Sequence, residues 1–220
     1  MHTGSPPPPG PPSGLPEGGV PLAGLVPLTG LVLCGGESRR MGTDKAVLEV
    51  GNVRLLDVVA RRLATVADPV LVAPGRPGRL GPLPWQEVAD ARPGCGPLGG
   101  IVAGLEASPH ELSAVVAVDL PLVDGGLLAW LARRSTGEEA IVPVDEDGRR
   151  QPLCAVYTRA AAPLLRGALD DGDLAVGRAL SRLRVRFVAA DEWTAAGFAP
   201  GWSRNVNTPD DLAALDDTPA

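Results

Sequence analysis

The sequence predicts an α/β fold with a mostly parallel central sheet and helices on both faces. Short apolar runs recur along the chain, and segments with apolar residues at helical spacing separate them. Three of the runs end in Gly or Asp, at Gly35, Asp90 and Asp119. In sheets of this kind right-handed crossovers gather the strand carboxyl ends along one edge, where ligands bind. Those three segments are therefore expected to converge.

Residues 1–28 are rich in Pro and Gly, with the run Pro6–Pro9, and read as a disordered leader. A single domain is expected over 29–220. Segment 30–34 is apolar and opens at Gly35-Gly36, as a buried strand does when it enters a turn. In 52–66 the residues Leu55, Leu56, Val59, Leu63 and Val66 fall at helical spacing. Strands are expected at 69–73 and 87–89, on either side of the loop 74–84, then a small-residue helix at 98–107. Segment 113–118 is the clearest buried strand and runs into Asp119-Leu120-Pro121. A helix at 126–134 and a strand at 140–144 follow. The remainder reads as strand 152–157, helices 159–169 and 174–183, and strand 184–189. Thr208-Pro209-Asp210 is a helix start, with Thr208 as cap.

A chain of 220 residues buries enough apolar surface to need no disulfide or structural metal. The formal net charge of -6 argues against a general nucleic-acid or anionic-membrane binder, although a local basic patch for a phosphate-bearing small molecule remains compatible with it. Cys34, Cys95 and Cys154 are odd in number and lack a CxxC pair, which suits free thiols in a reducing compartment. The N-terminal stretch has no basic region, and Pro21 and Pro27 interrupt its apolar residues, so no secretory signal is read. The expected location is cytoplasmic.

The chemistry-bearing segment is 33–45, Leu-Cys-Gly-Gly-Glu-Ser-Arg-Arg-Met-Gly-Thr-Asp-Lys. Glycines let backbone N–H groups approach an anion, and Arg39, Arg40 and Lys45 add charge suited to a triphosphate. The spacing is neither a Walker A loop nor GxGxxG. The bland alternative is a Gly turn beside solvated cations. Asp90 and Asp119 at strand ends suit Mg²⁺, which needs only one or two carboxylates when phosphates and waters complete its shell. Each is otherwise a turn former or cap. Segment 94–100, Gly-Cys-Gly-Pro-Leu-Gly-Gly, is either a close-approach loop for ribose or phosphate or a tight turn into a helix. Asn205 and Asn207 either bind ligand oxygens or support the cap. His2 and His110 lie in a tail and a polar turn, so no Ser–His–Asp or Cys–His arrangement arises.

Taken together, LxGGxSxRMGxDK at 33–45, GPLGG at 96–100, DxP at 119–121 and NVNTPxDL at 205–212 resemble the molybdenum cofactor guanylyltransferase family. That family sits among MobA-like NTP transferases with a Rossmann-like nucleotidyltransferase fold, and the likeness runs from about Thr29 to Leu215. The resemblance implies a nucleotide-binding set of Leu33, Cys34, Gly35, Gly36, Lys45, Asp90 and Asp119. Lys45 and Arg40 would act on the phosphates and Asp119 would hold Mg²⁺. Gln151-Pro152, Asn205 and Asn207 would face the pterin. The implied reaction is attack by the terminal phosphate of molybdopterin on the α-phosphorus of GTP, with loss of pyrophosphate. Partners would be GTP, molybdopterin or its molybdenum form, and cofactor-biosynthesis proteins or recipient molybdoenzymes, with no nucleic acid or membrane. The chain departs from the family at the end of the second strand, where Ala73 stands in place of a frequent Asn. Gly35-Gly36 points to a guanylyl donor, since the sister cytidylyltransferases usually carry Ala before a single Gly. The alternatives are such a CTP-using sister or one with another phosphorylated acceptor, a nucleotide-binding protein without chemistry, and, least supported, an NAD oxidoreductase.

Overall fold

In the computed structural model, which describes residues 26–35, 45–50, 52–90, 92, 94–206 and 211, the strands and helices alternate along most of the chain. In order they are β1 (Leu28–Leu33), β2 (Glu49–Val50), β3 (Val53–Arg54), α1 (Leu55–Ala64), β4 (Val70–Ala73), β5 (Gln86–Glu87), α2 (Gly96–Ala107) and β6 (Leu112–Ala117). Then come α3 (Gly125–Ala132), β7 (Ala140–Pro143), β8 (Cys154–Thr158), α4 (Ala161–Asp170), α5 (Val176–Ala179), β9 (Val185–Val188) and α6 (Ala190–Ala195). Strands β2 and β3 form a separate two-stranded ribbon, and the other seven form one sheet in the order β5-β4-β1-β6-β8-β7-β9.

Strand β1 pairs in parallel with β4 on one side and β6 on the other. Because both its edges are bonded and both its faces covered, all six of its residues are buried. Its side chains alternate between the two layers: Leu28 and Val32, with Cys34 just beyond the strand, pack with α1 and α3, whereas Leu31 and Leu33 pack with α2 and α4. Helix α6 joins the first layer through Trp193, and α5 joins the second through Val176 and Ala179.

The sheet is mostly parallel, as expected, but not wholly so. Strand β8 runs antiparallel to both β6 and β7, since β7 and β8 are joined by a short hairpin, which permits only antiparallel pairing. The helix expected at 52–66 begins only at Leu55, because Val53 and Arg54 are drawn into the ribbon with Glu49 and Val50. The helix expected at 174–183 is reduced to α5 and a 3-10 turn, Leu180–Arg182. There the Asp173 carboxylate accepts from the Ala175 N–H at 3.2 Å and from Arg178 Nε–H at 2.9 Å, a turn that delays the helix. Leu28, placed at the end of the leader from sequence, opens β1, while residues 1–25 and the helix start at 208–210 lie outside the described residues. Among the described residues no helix is long and apolar enough to cross a membrane.

Helix α2 reaches the sheet through glycine. A Cβ at Gly104 would overlap the fully buried Leu31 side chain, with Leu31 Cγ only 2.9 Å away. Alanine would gain about 1 kcal/mol of helix propensity over glycine, but overpacking a closed core costs about 1–3 kcal/mol and occasionally more. Gly104→Ala is therefore expected to lower the urea midpoint measurably. An unchanged midpoint would mean that α2 stands away from β1.

Candidate active site

The chain leaves β1 outward to β4 and β5, then returns to place β6 on the other side of β1. The carboxyl ends of β1 and β6 thus flank the point where strand order reverses, the usual ligand crevice of such sheets. The backbone beyond the strands is tied across this edge. Cys34 N–H donates to the Ala73 carbonyl at 2.9 Å, and Val118 N–H donates to the Leu33 carbonyl at 3.0 Å.

Lys45 and Asp119, 74 residues apart in sequence, meet here. Lys45 opens a 3-10 turn, Lys45–Val47, and its Nζ lies 3.4 Å from Asp119 Oδ2, with the two side chains 18% and 27% exposed. A long, partly solvated ion pair contributes about 0–1 kcal/mol. It can therefore yield to a ligand phosphate on the lysine and a cation on the carboxylate at small cost. The Asp119 carbonyl accepts from Val206 N–H at 2.8 Å, which brings Asn205 to the same edge.

Asp90 is a carboxylate of another kind. Its side chain lies against the first turns of α2, where a Cβ at Gly99 would stand 3.1 Å from Asp90 Oδ2. A Cβ at Gly100 would stand 3.1 Å from Leu33 Cδ2 and 3.2 Å from Ala73 Cβ. The GPLGG segment is thus a packing device that brings α2 onto the ends of β1 and β4 beside Asp90. Asp90 Oδ1 is buried without a hydrogen-bond partner, and burial pushes the carboxyl up to about 6. A buried acceptor lacking a donor is a place where a ligand hydroxyl or N–H can be satisfied.

One side chain at this edge was not singled out from sequence. Arg79, from the loop after β4, donates through Nη2 to the Cys34 carbonyl at 2.6 Å and through Nε to the Pro74 carbonyl at 2.8 Å. It closes over the strand ends beside Ala73, where the family frequently has Asn. A single Arg in a Gly/Pro loop carries no periodic signal that marks it. Gly36, Arg39, Arg40 and Asn207 lie outside the described residues. Gln151 is described in the β7–β8 hairpin, whose Leu153 carbonyl accepts from Ala117 N–H at 2.8 Å, next to the Asp119 turn.

Other reactive groups are turned away from chemistry. Burial pushes the Cys34 and Cys154 thiols up to about 12, so neither offers a thiolate. His110 Nδ1 lies 3.2 Å from Thr29 Oγ1, near the amino end of β1 and away from the crevice. Among the described residues no group of three or more His, Cys, Asp or Glu side chains could cage a metal. The partly exposed Asp119 carboxylate does fit a hard cation that draws its remaining ligands from phosphate and water, the habit of Mg²⁺.

A doubly wound sheet with a lysine–aspartate pair at its reversal point suits a nucleotidyltransferase. The chain belongs to the MobA-like NTP transferase domain family, whose model matches residues 30–187. It is 33% identical over 190 residues to a Chloroflexus aggregans protein named "Probable molybdenum cofactor guanylyltransferase", covering 84% of this chain and 91% of the relative. A Deinococcus radiodurans protein of the same name is 34% identical over 192 residues, covering 87% and 95%. The crystal structure of molybdopterin-guanine dinucleotide biosynthesis protein A from Archaeoglobus fulgidus superposes with a TM-score of 0.73 at 24% identity, covering 86% of this chain and 97% of that one. This last likeness bears on the fold.

The burial of Asp90 has a pH signature. Its folded pKa stands near 6 against an ordinary 3.8, so its favourable contribution is complete below 3.8 and is lost as pH rises through about 6. Asp90→Asn lacks that loss. The variant's thermal midpoint, relative to wild type, is expected to rise by a few degrees between those limits, a modest effect because the group is partly solvated. A difference that stays flat with pH would show that Asp90 is not held in this desolvated state.

Proposed function

We propose that the protein transfers GMP from GTP to the terminal phosphate of molybdopterin, or of its molybdenum form, releasing pyrophosphate. The observation that carries this reading is the Lys45–Asp119 pair at the reversal point of the sheet, in a chain whose relatives over most of its length bear the guanylyltransferase name. A phosphate oxygen of the acceptor forms the new bond to the α-phosphorus as the bond from that phosphorus to the bridging oxygen of the β-phosphate breaks. The nucleophile is already anionic, so no general base is required, in keeping with buried thiols and a distant His110. What remains for the protein is positioning and charge neutralisation.

Lys45 takes the triphosphate, helped by Arg40. Gly35 and Gly36, with the backbone of Leu33 and Cys34, hold the guanine nucleotide. The Cys34 carbonyl already accepts from Arg79 and its N–H already bonds Ala73, so the base must share this edge with Arg79 or displace it. Asp90 accepts from the nucleotide through its unpartnered oxygen. Asp119 holds Mg²⁺, which when bound neutralises phosphate charge. Asn205 and Asn207 lie towards the acceptor. A single domain that opens with Leu28 in β1 carries this chemistry, and free buried thiols suit action in the cytoplasm. Recipient molybdoenzymes or other cofactor-biosynthesis proteins are the natural takers of the product.

The first test supplies Mg²⁺, molybdopterin and each nucleoside triphosphate separately, and measures pyrophosphate and dinucleotide. GTP alone is expected to give product. Product with CTP instead would assign the chain to cytidylyl transfer, and no product with any donor would remove molybdopterin as the acceptor. Lys45→Ala and Asp119→Ala should each lower turnover by about 100-fold or more while retaining the native melting profile, because their mutual pair contributes little to stability. Wild-type turnover in both would remove these two residues from the mechanism.

A further inference from the structure

The hairpin between β7 and β8 lies at the same sheet edge as Asp119, on the side away from β4 and β5. It is anchored at several points. Trp193 Nε1–H donates to the Val144 carbonyl at 2.8 Å, and Gly201 N–H donates to Glu146 Oε1 at 2.9 Å. Since the Gly35 and Asp90 segments occupy the β5-β4-β1 half, an acceptor meeting the nucleotide at the Lys45–Asp119 centre must come from the half where this hairpin stands.

Inside the hairpin sits a charge with more hydrogen bonds than a turn requires. Asp145 is only 4% exposed. Its Oδ1 accepts from the N–H groups of Asp147 at 3.0 Å and Arg149 at 2.8 Å. The turn is also closed by backbone alone, with Asp145 N–H on the Arg149 carbonyl at 2.9 Å and Gly148 N–H on the Asp145 carbonyl at 3.0 Å. The second carboxylate oxygen, Oδ2, is given to the side chain of Gln151, whose Nε2–H donates to it at 2.6 Å. A carboxylate can only accept, so this bond fixes which end of the amide faces Asp145. The Gln151 backbone is equally committed, its N–H to the Pro143 carbonyl at 2.9 Å and its carbonyl to Cys154 N–H at 3.0 Å. What is left over is Oε1 and the second amide N–H. No described residue donates to that Oε1.

We propose that Asp145 is a positioning residue that holds the Gln151 amide for the acceptor, and that the pair selects a heterocycle with adjacent donor and acceptor groups on one edge. This rests on the guanylyl-transfer reading above. An amide with one acceptor and one donor left open forms two parallel bonds with such an edge, the geometry by which amide side chains read nucleic-acid bases. A buried carboxylate behind the amide removes its freedom to flip, so the order of donor and acceptor is set before the acceptor arrives.

The test measures KM for GTP, KM for molybdopterin and the thermal midpoint for wild type, Gln151→Ala, Asp145→Asn and Asp145→Asn/Gln151→Glu. Gln151→Ala leaves the backbone of the turn intact and is expected to raise the acceptor KM about tenfold, with GTP KM and midpoint near wild type. Asp145→Asn sets one amide N–H against another and is expected to raise the acceptor KM similarly while lowering the midpoint. The double variant restores a donor facing an acceptor but presents a carboxylate in place of the amide, so its midpoint recovers and its acceptor KM does not. Acceptor KM values within twofold of wild type in both single variants would overturn the proposal and leave the pair as a hairpin clasp. Recovery of acceptor KM together with the midpoint in the double variant would overturn it too. Wild-type protein that makes no product from GTP and molybdopterin would instead refute the underlying reading, a result separate from any effect of the variants.

Discussion

Strand β1 is hydrogen-bonded along its length to β4 and to β6 and packed on both faces, so the chain beyond Leu33 must find new backbone partners at once. It finds them across the sheet edge, with Cys34 bonded to Ala73 and Leu33 to Val118. These bonds hold three strand ends level. They also bring the turn after β6, which carries Asp119, beside the end of β1, and Lys45 meets Asp119 there. The glycines of α2 serve the same constraint from one face, since side chains at Gly100 or Gly104 would hold the helix away from β1 and β4. The site is a consequence of how a doubly bonded central strand ends.

Two carboxylates at this edge are prepared differently, and the difference follows from their surroundings. Asp119 is partly exposed and faces Lys45 at a distance that costs little to break. Such a group can change partners during a reaction. Asp90 is desolvated against α2, has a buried oxygen without a donor, and is raised towards 6. Such a group gains most from a neutral hydroxyl or N–H that replaces the water it has lost. One carboxylate suits exchanging charge and the other suits fixed recognition.

Much of the fold could be read from periodicity. The β1, β4 and β6 runs are apolar throughout because their strands are covered on both faces, and the helical spacing from Leu55 to Leu63 marks the face that α1 buries. The reversal of β8 was not legible in that pattern, because a buried antiparallel strand is as apolar as a parallel one. Helix α6 escaped for a related reason. It is six residues long with one large buried residue, Trp193, too little to establish a period. Within the site, Lys45, Asp90 and Asp119 stood out because strand ends and charges coincide in sequence. Arg79 and Asp145 did not, since each acts through a contact that exists only when loops fold back, on Cys34 in one case and on Gln151 in the other.

The reversal of β8 also gives the edge two unlike walls. On the β4 side the chain passes the crevice in loops rich in Gly and Pro, closed by an arginine that donates to the Pro74 and Cys34 carbonyls. Those two carbonyls can accept from a ligand's donors in place of the arginine's. On the β8 side the wall is a short hairpin with a buried aspartate at its base, tied to the body by Trp193 and to the 201–206 segment by Glu146. Two backbone N–H groups hold one oxygen of that aspartate and the Gln151 amide holds the other, so the turn keeps its form even when the amide bond is lost. Adjustment to ligand therefore comes more easily on the β4 side, and in the proposal above the β8 side is the fixed reference for the acceptor. An in-line displacement requires the attacking oxygen to stand opposite the leaving oxygen, and a fixed wall on one side limits the positions from which that alignment can be reached.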